Sequence, residues 1–308
     1  MINFHKAILA PLVYYDLLEH PLTALEIFKY LRADGPEISF FGVRQQLKET
    51  ANISRQNGLY FLSGRQELIA TRQKRLKIAQ LKWKKLKKIG KLLALSPWLR
   101  LVAATGSLTS YNTKKQSDFD LLIILRKNRL WLGRLLLTGL VGLLGQRRHG
   151  ELTQDRICLN CYLTEEKVEI TPDIKPRDWH AAQEYGRLTL LLEIQPGLYK
   201  KFTQSNLWLA DFLKNYPWPN ATGAKKIPPA LFFSFWRQIL ERLLNGRIGD
   251  KLEQLSGQWQ KKRIQEKRPQ ENSLEGDQVF ISDWCLMFHP QSKSDKLMKE
   301  FDQRMIKF

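Results

Sequence analysis

The residues best suited to chemistry lie between Leu99 and Leu125, where Gly106-Ser107 is separated by ten residues from Asp118-Phe119-Asp120. Apolar runs flank this segment, Leu99–Thr105 before it and Leu121–Leu125 after it, and both read as strands. Side chains at i and i+2 of a strand share one face, so Asp118 and Asp120 are expected to project together. Two adjacent carboxylates repel unless a cation lies between them, and hard oxygen donors of this kind suit Mg2+. Gly106 permits close backbone approach to a ligand. Ser107 adds a hydroxyl and an N–H at an expected helix start, a favourable seat for phosphate. The chemistry implied is metal-assisted transfer at a triphosphate, in which two metals activate an attacking hydroxyl and stabilise leaving pyrophosphate. The plain alternative is a glycine turn followed by a strand with two solvent-facing acids.

Gly106-Ser107-x10-Asp118-Phe119-Asp120 between two apolar strands resembles the signature of the DNA polymerase beta-like nucleotidyltransferase superfamily, especially its minimal bacterial members. The likeness in fold could extend over Leu99–Ile170. The resemblance implies that Gly106 and Ser107 bind the nucleotide, and that Asp118 and Asp120 are catalytic Mg2+ ligands. It also implies transfer of a nucleoside monophosphate from a Mg–nucleoside triphosphate to a hydroxyl on RNA, DNA or protein, with release of pyrophosphate. The family usually supplies a third carboxylate from a later strand. Here that strand is Arg156–Leu163, which contains no acid. Asn160 could ligate through its carbonyl but cannot take a proton, and Asp155 and Glu169 are weaker substitutes. Three outcomes stay open: a slower enzyme, a base supplied by substrate or partner, or a nucleotide-binding domain that no longer catalyses. Lys114, Lys115 and Arg126 are near enough in sequence to meet phosphates.

Other elements must position this segment. Helical periodicity over Ala7–Glu19, a Thr23–Glu26 capping box opening a helix to about Arg32, and a third helix at Ser39–Glu49 precede the turn signal Asn57-Gly58. With Leu59–Leu62 and Gln66–Ala70 read as the hairpin, this is the order of a winged helix. The third helix carries only Arg44 and Lys48, partly offset by Glu49, so a protein-interaction or spacer role competes with DNA binding. Thr71–Leu95 follows with ten Lys and Arg between Arg72 and Lys91 and no acid. Leu76, Ala79, Trp83, Leu86, Gly90 and Leu93 form its apolar stripe. Nucleic-acid phosphates, an anionic membrane and a solvated connector are the competing readings of that helix.

Composition bounds the rest. The 308 residues carry 50 Lys and Arg against 30 Asp and Glu, a net +20, with 43% hydrophobic residues, which excludes a disordered chain. Residues 51–150 hold +18 of that charge, and their only acids are Glu67, Asp118 and Asp120. Three cysteines are too few for a disulfide framework, and Cys158 and Cys161 read as buried structural thiols facing opposite sides of a strand. No signal peptide is expected. Leu130–Leu144 is too short for a bilayer span and reads as a buried or interfacial helix, so the expected location is cytoplasmic.

Beyond residue 172 the pattern looks helical, with Trp179–Ile194, Phe202–Tyr216 and Leu231–Arg268 as helices, the last with candidate interruptions at Gly246 and Gly249. Two polar or Pro-containing stretches are read at 217–229 and 269–277. A single strand is expected at Val279–Phe288, followed by a helix at Leu297–Met305. His289 reads as a turn residue, and Trp208, Trp218, Trp236, Trp259 and Trp284 as core. The expected architecture is α+β, a nucleotidyltransferase-type mixed sheet with flanking helices. Its parts are a winged-helix-like domain (1–70), a basic connector helix (71–97), a nucleotidyltransferase domain (98–175) and a helical C-terminal region (176–308). A non-catalytic nucleic-acid-binding or regulatory protein, using the winged helix and basic helix, is the alternative.

Overall fold

The structure, a computed structural model, describes residues 4–217, 225–228, 231–266, 278–289 and 293–308. Helix α1 (Phe4–Leu17) leads to the short strand β1 (Leu22–Thr23). Helix α2 (Ala24–Lys29) opens on the expected capping box: the Glu26 N–H donates to Thr23 Oγ1, and the Thr23 N–H donates to Glu26 at 2.7 Å. Helix α3 (Phe40–Glu49) is capped by Ser39. The hairpin differs from expectation. Asn57-Gly58 joins β2 (Ile53–Gln56) to β3 (Leu59–Leu62), with β1 pairing β3 on its other side. Gln66–Ala70 is not the second strand, because helix α4 (Glu67–Leu93) begins there.

Helix α4 buries Ala79, Trp83, Leu86, Gly90 and Leu93 as the stripe requires, but Leu76 is exposed. Four of its cations are tied into the structure instead. Arg72 pairs with Glu26 and Arg75 with Glu19, while Lys82 and Lys85 share the carboxylate of Asp155. Lys82 is buried, and its ammonium also donates to the Ser117 carbonyl at 2.7 Å. This fastens the helix to the loop that carries the acid pair.

The centre is a six-stranded mixed sheet in the order β7 (Thr189–Glu193), β4 (Leu99–Ala104), β5 (Phe119–Leu125), β6 (Ile157–Thr164), β9 (Cys285–His289), β8 (Gln278–Ile281). Strands β4 and β5 pair antiparallel, and β5 pairs parallel with β6 across helix α5 (Leu130–Leu143). Burial on both faces explains the unbroken apolar run of β5. Leu122 and Ile124 join a core that includes α1 and α6 (Trp179–Gly186), whereas Phe119, Leu121, Ile123 and Leu125 join one shared with α4 and α5. Each such side chain contributes about 1.5–3 kcal/mol when fully buried. No helix among the described residues is long and apolar enough to cross a membrane. Helix α5 packs against β6 and a later helix, α9 (Gly246–Glu266).

The C-terminal region is not all helical, since it completes the sheet. The helix expected over Trp179–Ile194 ends at Gly186, and β7 (Thr189–Glu193) pairs with β4. Helix α7 (Leu198–Ser205) and a short 3-10 turn (Leu207–Asp211) replace the helix expected at Phe202–Tyr216. The long helical stretch divides at Gly246, whose φ of +70° breaks it into α8 (Leu231–Leu243) and α9 (Gly246–Glu266). The single strand expected near residue 280 is a hairpin, β8 (Gln278–Ile281) and β9 (Cys285–His289), and β9 pairs antiparallel with β6. His289 therefore ends a strand and does not sit in a turn. Helix α10 (Lys293–Met305) packs on α1. Trp208 is core, but Trp236 and Trp259 are 44% and 49% exposed. Trp218 lies outside the described residues, as do most of the stretches read at 217–229 and 269–277.

Candidate active site

Gly106 and Asp120 meet where β4 ends and β5 begins. The Thr105 N–H donates to the Asp120 carbonyl at 2.9 Å, continuing the antiparallel ladder past Ala104. Gly106 then turns with φ +68°, and a Cβ placed on it would lie 2.6 Å from Asp120 Oδ2. Glycine is thus required twice, by the left-handed backbone and by the carboxylate pressed against it. The helix start expected at Ser107 is only a three-residue 3-10 turn, Gly106–Leu108. Ser107 is exposed, and its carbonyl accepts from the Asn112 N–H and the Ser110 hydroxyl, both at 3.0 Å. The Asn112 side chain ties this loop down, accepting from Arg75 at 2.9 Å and donating to the Leu18 carbonyl at 2.8 Å.

Asp118 and Asp120 converge, and the third donor beside them is a thiol. One ligand atom each from Asp118, Asp120 and Cys158 lies within 4.8 Å of the others. The parallel register of β5 and β6 sets Cys158 directly opposite Asp120. Cys161 lies in the core, as does Cys285, whereas Cys158 is partly exposed toward the acids, so it is not the buried structural thiol expected. Asn160 donates through Nδ2 to Asp120 Oδ1 at 3.3 Å, steadying that carboxylate with its amide nitrogen rather than offering the carbonyl. Arg148 Nη1 lies 2.6 Å from Asp118 Oδ2 and 3.5 Å from Cys158 Sγ.

The electrostatics follow from crowding. Burial raises Asp120 from 3.8 to about 7, with the charges of Asp118 and Glu184 adding to the effect and Arg148 opposing it. Burial, then Asp120 and Asp118, push the Cys158 thiol up to about 12. A pair of acids in which one resists ionisation is what a bound divalent cation would relieve. The two carboxylates fit a divalent cation, but the thiol departs from the all-oxygen set that Mg2+ prefers.

These groups line a cavity of about 910 Å3. Its wall carries Arg134, Arg147, Arg148, Lys175 and Arg187 against Asp118, Asp120 and Glu184. None of the three cations proposed from sequence lies there. Lys114 pairs with Glu19, Arg126 bonds Asn245 at 3.1 Å, and Lys115 is exposed outside the cavity. Neither substitute acid serves the site, because Asp155 is held by Lys82 and Lys85, and Glu169 sits on irregular chain, paired with Arg177. The acid that sequence reasoning missed is Glu184 of α6, 2.6 Å from Lys175 in an ion pair at the cavity wall. It lies in a segment read only as an amphipathic helix, with no local motif to mark it. Arg147-Arg148-His149-Gly150 was a visible signal, a basic cluster immediately before the third strand of the site.

No protein-family model matches the chain, and no curated protein or solved structure does either.

Proposed function

We propose that the chain is a nucleotidyltransferase, transferring a nucleoside monophosphate from a nucleoside triphosphate to a hydroxyl acceptor. One observation carries this reading: Asp118 and Asp120 converge, with Asp120 pressed against the Gly106 backbone, in a cavity whose cations outnumber its acids. Such a wall favours a ligand with several negative charges, and the acid pair favours a divalent cation accompanying it. Gly106 would admit the phosphates close to the backbone, and Ser107 would border them. Arg148 and the neighbouring cations would hold the phosphate oxygens in place, pre-orienting the triphosphate for attack. A divalent cation held by Asp118 and Asp120 would supply Lewis-acid charge stabilisation. In the reaction the acceptor oxygen bonds to the α-phosphorus, the bond to pyrophosphate breaks, and the hydroxyl proton passes to a base. Glu184 is the carboxylate we assign to that role, since β6 offers no acid. The test is incubation with each labelled nucleoside triphosphate, a divalent cation and a cell lysate, asking which macromolecule carries label. Labelling equal in wild type and the Asp118→Ala, Asp120→Ala variant would sink the reading.

The alternative, a nucleic-acid-binding protein without catalysis, is favoured by a different observation. Lys74, Lys77, Lys84, Lys88 and Lys91 are exposed at spacings that share one face of α4, with no acid partner among the described residues. The three helices and three-stranded sheet of residues 4–62 suit a winged helix on the same reading. This version requires binding to DNA or RNA with steep salt dependence, unaffected by Asp118 and Asp120. Binding to anionic vesicles in place of nucleic acid would refute it.

A further inference from the structure

Hard and soft donors meet at the acid pair, and this bears on which cation the site takes. Mg2+ demands close to six oxygen ligands in an octahedron and has little affinity for sulfur. Zn2+ and Co2+ accept thiolate and carboxylate together, commonly with four ligands. We propose that Cys158 is a ligand of the cation held by Asp118 and Asp120, and that the site therefore selects a thiophilic divalent ion of the Zn2+ or Co2+ class over Mg2+. This rests on the reading of the acid pair as a cation site.

Three observations support it. The donor atoms lie within 4.8 Å of one another, and ligand atoms across a tetrahedral Zn2+ are about 3.3–3.6 Å apart, so modest rotation of side chains closes the set. The donors stand on or beside two adjacent central strands in parallel register, with Asp120 opposite Cys158, and need no backbone rearrangement to converge. A positive group already occupies the gap, since Arg148 Nη1 bridges Asp118 Oδ2 at 2.6 Å and Cys158 Sγ at 3.5 Å. The guanidinium stands in for the cation and must swing toward the cavity when a metal enters. There it would be free to meet an anion. Asn160 does not compete as a third ligand, because its amide nitrogen is turned to Asp120.

The experiment uses the full chain stripped with a chelator, titrated with Co2+, Zn2+ and Mg2+ separately, with bound metal counted by equilibrium dialysis. Co2+ bound through sulfur gives an intense near-ultraviolet charge-transfer band that oxygen-only sites lack. The expected result is one Co2+ with that band in wild type, and displacement by Zn2+ but not by comparable Mg2+. Cys158→Ser should abolish the band and weaken Zn2+ by at least about tenfold. Cys158→Asp should lose the band and gain Mg2+ affinity. Cys161 and Cys285 are buried in the core and cannot supply the band without unfolding, which circular dichroism monitors. If Cys158→Ser fails to fold, Cys158→Ala takes its place, and wild-type Co2+ spectra alone still decide whether sulfur binds. Metal binding without the band, or equal Zn2+ affinity in wild type and a folded Cys158 variant, overturns the inference while the cation reading survives. Binding of none of the three ions overturns both.

Discussion

Replacing Asp120 by asparagine should stabilise the cation-free protein at neutral pH, against the usual cost of altering a partly buried polar group. Folding raises Asp120 from 3.8 to about 7, chiefly by burial and secondarily through Asp118. The folded chain therefore binds this proton more tightly than the unfolded chain does. Stability contributed below about pH 4 is lost progressively as pH rises through about 7. The Asp120→Asn variant has no such proton to lose. The stability gap between variant and wild type should open near pH 4, widen by about 1.4 kcal/mol per pH unit and level off above pH 7. The full displacement corresponds to a ceiling of about 4 kcal/mol. Urea unfolding followed by tryptophan fluorescence, at pH 4 to 8 with a chelator present, measures it. Other titrating groups, such as His20, held down to about 4 by burial, act in both proteins and cancel in the difference. A saturating divalent cation should reverse the order, because it binds only the wild-type acid pair tightly. A gap independent of pH, or a variant less stable than wild type at pH 8 without cation, would refute the reasoning.

Further outcomes follow from the same geometry. Gly106→Ala forces a Cβ to 2.6 Å from Asp120 Oδ2 on a left-handed backbone, so it should lower stability by more than the about 1–2 kcal/mol of the backbone alone and weaken cation binding, read by thermal melts and Co2+ titration. Lys82→Met should cost about 3 kcal/mol in urea denaturation, whereas Lys85→Ala, at the exposed end of the same carboxylate, should cost less than about 1 kcal/mol. If the lysine face of α4 binds single-stranded nucleic acid through all five lysines, log affinity should fall with log salt at a slope of about −3.5, and glutamine at all five should flatten it.

The strands that hold the acid pair were legible in the sequence because β4 and β5 are buried on both faces, leaving apolar runs ended by Gly106 and begun at Asp118. Strand β7 was not, because five residues, Thr189–Glu193, give too short a period to tell strand from helix, and Leu188 and Leu191 mimic helical spacing. The hairpin of β8 and β9 was half seen, since one apolar stretch hid the turn at Ser282–Trp284. Opposite faces were expected for Cys158 and Cys161 from strict alternation, but β6 carries an extra residue between them: Cys158 stands opposite Asp120 and Cys161 opposite Leu122, so both lie on the face of the sheet turned to α1 and α6. That face is core at Cys161 and opens into the cavity at Cys158. Glu184, Lys175 and Arg187 reach the site only because the segment around α6 packs beside α1 at the cavity, a long-range contact with no local signature.

The central claim is that Asp118 and Asp120 hold a cation against a triphosphate. Equilibrium binding of labelled nucleoside triphosphates to the full chain, with and without divalent cation, tests it most directly. Wild type should bind with cation and lose affinity in chelator, and the folded Asp118→Asn, Asp120→Asn variant should show no cation dependence. Triphosphate binding that is equally cation-dependent in that variant would contradict the account.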